Sequence, residues 1–136
     1  GLGWTVDLDR EPFCGQQALK AEQATGSQLA LVGLELDWDE QAALYAKHGL
    51  PVQVHPGAWR SGVPVYNNDG RRQIGKATSG AWSPMIKKNL ALAAVDTRYA
   101  EIGTRLKIEY TVEYQRETVT AEVTPMPFYN PVHKKA

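Results

Sequence analysis

Residues Thr104 to Glu113 alternate strictly between apolar and polar side chains, and Glu117 to Val123 do the same. Leu106, Ile108, Tyr110 and Val112 fall on one side, while Arg105, Lys107, Glu109 and Thr111 fall on the other. Successive side chains of a strand point to opposite faces, so this period of two predicts a buried face and a wet one. A short turn near Gln115 joins the two runs into an antiparallel hairpin. A hairpin alone cannot cover its apolar face, so further strands must pack against it.

Other segments supply them. Leu29 to Leu36 predicts a strand that is apolar on both faces, hence centrally placed. Val63 to Tyr66 and Gln73 to Thr78 flank Asn67-Asn68-Asp69-Gly70. Those residue types tolerate left-handed dihedrals and mark a hairpin turn. Ser83 to Lys88 predicts a turn, with Pro84 at its start, and Leu90 to Val95 a narrow, alanine-rich strand. Gly15 to Thr25 predicts a helix closed by Gly26. A second helix is predicted over residues 38 to 48, with Asp37 as its N-cap and Glu40 completing a capping box. Trp38, Ala42 and Tyr45 share one face of it, and Gly49 and Pro51 end it. Leu2, Trp4, Val6 and Leu8 also repeat at period two, which predicts a strand at the start of the chain. That strand needs a partner sheet, as at the cut end of a longer chain. Residues 132–136 are expected to be a basic, frayed tail. The expected fold is mainly β with one or two short helices: a small antiparallel β-barrel, distorted or jelly-roll-like, of about six strands.

Composition narrows the function. Lys+Arg and Asp+Glu are 15 each, so net charge is zero and nothing suggests a nucleic-acid partner. No apolar run approaches the roughly 20 residues of a membrane span. Cys14 is the single cysteine, which excludes an intrachain disulfide and suggests a reducing, cytoplasmic setting. It has no histidine near it in sequence and reads as an incidental thiol rather than a nucleophile. His48, His55 and His133 lack metal-ligand spacing. Gly75 to Gly80 holds the letters of a phosphate loop, but its lysine follows the wrong glycine, so a tight turn is the better reading. Asp37, Asp39 and Glu40 read as a helix start rather than as a catalytic carboxylate pair. Ser79 and Ser83 read as turn-bonding hydroxyls. The run Trp82 to Asn89 could face another domain or an anionic ligand tail, or could be a solvated turn.

Seven short elements occur in a fixed order. They are Gly3-Trp4-Thr5, Phe13-Cys14-Gly15-Gln16-Gln17-Ala18-Leu19, Val32-Gly33-Leu34, Thr78-Ser79-Gly80-Ala81-Trp82-Ser83-Pro84, Asn89-Leu90-Ala91-Leu92-Ala93, Gly103-Thr104-Arg105-Leu106 and Pro127-Phe128-Tyr129. In that order they resemble the C-terminal region of the aminomethyltransferase family, which includes the glycine-cleavage T-protein and related folate-dependent demethylases. The stretch from Asp37 to Gly62 is longer than a glycine-cleavage T-protein would have, which leaves the methyl or aminomethyl donor open.

The resemblance implies that residues 1–26 end an N-terminal folate-binding region and that residues 27–131 form the barrel domain. It implies transfer of a one-carbon unit to tetrahydrofolate by the intact protein. The catalytic carboxylate would lie in an N-terminal region of the same protein, and this chain alone would be inactive and prone to self-association. Trp4 would lie near the folate, where an indole face can stack on a flat heterocycle. The alternative is that it packs in the core against the helix at 15–25. Trp82 is a second, weaker cofactor candidate; no catalytic or metal-binding residue is expected. A free-standing, non-catalytic barrel module for binding or assembly is the alternative.

Overall fold

A computed structural model describes residues 3–54 and 57–131; the side chain of Trp4 and the tail at 132–136 lie outside the described part. Six strands, β1 (Leu29–Leu36), β2 (Val63–Tyr66), β3 (Gln73–Ser83), β4 (Lys88–Asp96), β5 (Arg105–Val112) and β6 (Gln115–Thr124), close into an antiparallel barrel in the order β1-β4-β3-β2-β5-β6. Two helices accompany them, α1 (Gln16–Thr25) and α2 (Trp38–Lys47). Closure gives each strand two neighbours, and that removes most of the exposed sheet edge.

The alternating hairpin forms as its pattern predicts. Leu106 faces Ala121 across the β5–β6 ladder and Ile108 faces Val119, all four buried. Its turn is tighter than expected. Val112 pairs with Gln115, so Glu113 and Tyr114 alone make the turn, at φ 49° and 63°. Positive φ at both positions matches the right-handed twist of the flanking strands. Leu34, Val65, Val95 and Val119 join Leu106 and Ile108 in the fully buried interior.

β3 runs past its expected end at Thr78. After a bulge between Ala77 and Ser79, residues up to Ser83 stay paired with β4, and Ser83 faces Lys88. The turn is therefore Pro84 to Lys87, and Ser79 and Ser83 sit in a strand. Gly75 shows why the narrow, alanine-rich β4 suits this neighbour. A Cβ there would lie 2.3 Å from the Ala94 carbonyl oxygen, so only glycine lets the backbones approach.

In β1 the inner residues Val32, Leu34 and Leu36 are buried, whereas Leu29 and Leu31 are exposed. The chain's exit covers the outer face further along. A Cβ on Gly33 would meet the Phe128 ring at 2.6 Å and Met126 at 2.9 Å, so both side chains rest directly on the bare backbone.

The expected N-terminal strand is not formed. Gly3–Thr5 is a 3-10 turn, closed by Val6 N–H donating to the Gly3 carbonyl at 3.1 Å. A strand needs a ladder to satisfy its backbone groups. None of the described strands pairs with this segment. α1 forms as predicted, with Gly26 at φ 79°, yet it buries none of its side chains.

Candidate functional site

The barrel wall has a gap beside β2, and it follows from strand length. β2 has four residues, whereas its neighbours β3 and β5 have eleven and eight. β2 pairs with β5 only at Val65–Ile108 and Tyr66–Lys107. Toward α2, β3 and β5 continue without a strand between them. Trp59 bridges part of the gap. Its N–H donates to the Gly80 carbonyl at 2.9 Å, and Gly80 N–H donates back to its carbonyl at 3.1 Å. Its indole lies on Gly80, where a Cβ would be 2.3 Å from the ring.

Beside Trp59 lies a cleft of about 550 Å³, lined by Tyr45, Trp82 and Tyr110, with Leu36 and Ile108 beneath and Glu109 among its polar groups. Tyr45 and Tyr110 meet edge to face, centroids 6.4 Å apart. Burial, reinforced by the Tyr45 phenol, pushes the Tyr110 hydroxyl well above the usual phenol range, so it stays neutral. Trp82 is backed by Trp38 at a centroid distance of 5.0 Å.

α2 closes this end of the barrel and carries Trp38 and Tyr45. Asp37 caps it, accepting from Glu40 N–H at 2.9 Å, as the sequence predicts. The return half of the capping box is absent, because Glu40 turns to β6 instead. Its carboxylate accepts from Thr120 N–H and Oγ1, both at 2.6 Å, and from Lys107 Nζ at 3.2 Å. Asp37 N–H donates to the Thr120 carbonyl. Gln41 is fully buried; its Nε2 donates to the Asp37 carbonyl at 2.9 Å, and its Oε1 accepts from Asn89 Nδ2 at 2.8 Å. The face of α2 that docks is thus Gln41, Leu44 and Tyr45; Trp38, expected on the docked face, is exposed.

Partial burial alone would raise the Glu40 carboxyl, but the hydrogen bonds from Thr120 and Lys107 outweigh it and hold the group below its ordinary value of 4.5. A depressed folded-state value stabilises the fold above the ordinary value and ceases to do so as pH falls through the lower one. Glu40→Gln is therefore expected to cost about 1 to 2 kcal/mol near neutral pH. Urea midpoints measured from about pH 7 down to about pH 2 should show that difference shrinking only in the acid range. A difference constant over the whole range would mean that the carboxylate charge plays no part in holding α2.

A second, open groove lies at the opposite end, between the N-terminal arm and α1. Val6, Leu8, Leu19 and Leu29 line it, with Asp7, Asp9 and Glu22 as its charged groups. Trp4 belongs to the turn beside this groove. Trp82 pairs with Asn89 and so sits at the Leu36 end of β1, while the arm lies at the Leu29 end. Seven steps of about 3.3 Å put roughly 23 Å between those ends. The backbone positions of Trp4 and Trp82, the two tryptophans singled out in the sequence, therefore lie toward opposite ends of β1. Cys14 is exposed. Among the described residues no three His, Cys, Asp or Glu side chains converge as a metal would require. Among the described residues no helix is long and apolar enough to cross a membrane.

Residues 30–130 match the family described as the glycine cleavage T-protein C-terminal barrel domain. The chain belongs to this family. Relatives of the T-protein barrel domain agree. The chain is 35% identical over 130 residues to an aminomethyltransferase of Bacillus cytotoxicus and 37% identical over 130 residues to one of Synechococcus sp. strain CC9902. Each alignment covers 95% of this chain and 29% of the relative, so the chain spans under a third of the proteins it matches. The glycine cleavage system aminomethyltransferase T of Bartonella henselae has the same fold over 94% of this chain and 30% of its own, with TM-score 0.69 and 21% identity.

The T-protein motifs now have physical meanings. Val32-Gly33-Leu34 and Pro127-Phe128-Tyr129 meet where Phe128 lies on Gly33. The glycine of Thr78-Ser79-Gly80 is the seat of Trp59. Asn89 opens the Asn89-Leu90-Ala91-Leu92-Ala93 strand and anchors the buried Gln41. Gly103, at φ 89°, lets its N–H reach the Val123 carbonyl at 2.8 Å. Sequence reasoning passed over Trp59 and Glu109. The available signal was Gly80, since a glycine within a strand marks close approach of another group.

Proposed function

We propose that this chain is the C-terminal barrel domain of a folate-dependent aminomethyltransferase or demethylase. The whole protein would pass a one-carbon unit from a methylated or aminomethylated donor to tetrahydrofolate in the cytoplasm. The barrel would close one side of the folate channel and keep water out, while the catalytic carboxylate stands in another region of the protein. The observation that carries this reading is the arm and α1. Val6, Leu19, Leu29 and Leu31 are exposed together with a helix that buries nothing, which suits a surface covered by more of the same protein. Left uncovered, it favours self-association.

Tetrahydrofolate does not fit the described residues alone. Among the described residues neither the cleft nor the groove is lined by a cation, and the charged groups there are acidic, so neither set matches a carboxylate tail. The chain by itself is expected to bind tetrahydrofolate no better than millimolar, and to turn nothing over. Trp4 stacks on the pterin only in the full protein. There, Trp4→Ala should weaken folate about tenfold to a hundredfold, the order for one aromatic platform, with turnover at saturating folate little changed. Titration calorimetry on a mutant shown to be folded checks this; unaltered affinity would leave Trp4 as packing. Activity of the full-length protein with a glycine-cleavage intermediate, dimethylglycine or a sulfonium donor would identify the substrate.

One observation favours a second reading, a free-standing binding or assembly module: the barrel closes on itself around its own core. Such a module should sediment as a monomer or a symmetric dimer, whereas a barrel lacking its covering region should associate without a fixed stoichiometry.

A further inference from the structure

We propose that the cleft between α2, Trp59 and β5 binds a small organic cation of the alkylammonium type. Four aromatic side chains, Tyr45, Trp59, Trp82 and Tyr110, line this one concavity. Aromatic faces carry negative quadrupole density and attract a cation placed over them, tryptophan most strongly. Among the described residues Glu109 is the only charged one that lines the cleft. Its side chain is about a fifth exposed, and Arg116 Nε stands at the long distance of 4.0 Å from its Oε1, on a side chain that is mostly in solvent. That exposed pair is weak, so the Glu109 carboxylate, on the face of β5 opposite Tyr110, can attract another cation from the rim of the cleft.

The same features reject other ligands. Lys87 on the neighbouring turn and Lys88 at the start of β4 do not line the cleft. Lys88 is engaged with Glu35 at 2.5 Å. An anion would meet Glu109 with nothing to offset it. A neutral apolar molecule could pack on the rings but would forgo their electrostatic attraction and that of the carboxylate. The volume lies within the range of about 300 to 1,000 Å³ common for small-molecule sites. Gln53, Ser61 and Thr111 supply polar groups that can orient a substituent on the cation. The site arises because β2 stops short of its neighbours, so it belongs to the barrel's own construction and stands independently of the folate reading.

The test is a paired titration of the 136-residue chain with choline and with its neutral isostere 3,3-dimethylbutan-1-ol, at matched ionic strength. Tryptophan fluorescence and indole N–H chemical shifts report binding. Choline is expected to bind with a dissociation constant of about 1 mM or tighter, and the isostere at least about tenfold more weakly. Glu109→Gln and Trp82→Leu should each weaken choline about tenfold, with circular dichroism and melting temperature close to those of the unaltered chain. Trp59 is left in place because it holds the wall. Equal affinity for choline and the isostere would show a merely apolar hollow and overturn the proposal. So would no choline response up to about 100 mM, or binding that neither variant alters. Preferential binding of a neutral pterin over choline would place a heterocycle there and overturn it too.

Discussion

Leu106→Ala is expected to destabilise the barrel by about 4 kcal/mol. Leu106 is fully buried at the inner face of β5, opposite Ala121, where a small neighbour cannot fill the space that the leucine leaves. The loss combines the transfer of the missing methyl groups with the cavity that remains. A domain of this size has roughly 5 to 15 kcal/mol in total, so the variant should unfold at a much lower urea concentration. The slope of the transition should stay the same, because the surface exposed on unfolding is nearly unchanged. Ile102→Ala is the internal comparison. Ile102 is 64% exposed in the loop before β5, and its loss should register within about 0.5 kcal/mol. Comparable costs at the two sites would mean that Leu106 does not face a closed interior.

Gly80→Val is expected to cost about 3 kcal/mol and to release Trp59 from the wall. The added side chain would start 2.3 Å from the indole, and Trp59 is tied to the same residue through both its backbone groups. Either the ring and its two hydrogen bonds leave, or β3 shifts against β4. Tryptophan emission should move to the red as Trp59 meets water, and choline binding in the cleft should fall with it. Gly62→Ala separates steric crowding from real obstruction. Its Cβ would lie 2.6 Å from Lys76 Cδ, but that atom belongs to a flexible, exposed side chain that can swing away. That variant should change stability by less than about 0.5 kcal/mol. Native-like emission and stability in Gly80→Val would show that Trp59 does not close the gap.

The sequence by itself determined the periodic elements. The β5–β6 hairpin, the inward set of Leu106, Ile108 and Val112, both helices and the Asp37 cap follow from side-chain alternation, helical spacing and local hydrogen bonding, which need no distant partner. The ordered motifs also indicated the barrel family, since each encodes a local backbone requirement such as the bare surface at Gly33. What depended on distant contacts was decided only by the tertiary structure. The N-terminal repeat of Leu2, Trp4, Val6 and Leu8 has the pattern of a strand, but pattern supplies no ladder, and the described part is a 3-10 turn. Glu40 has the spacing of a capping box, yet a stronger set of donors 67 and 80 residues away claims its carboxylate. The cleft follows from the mismatch in length between β2 and its neighbours, and its four aromatic side chains come from α2, a loop, β3 and β5. Chain separation hides such a constellation, because strand pairing rather than sequence proximity brings those rings together.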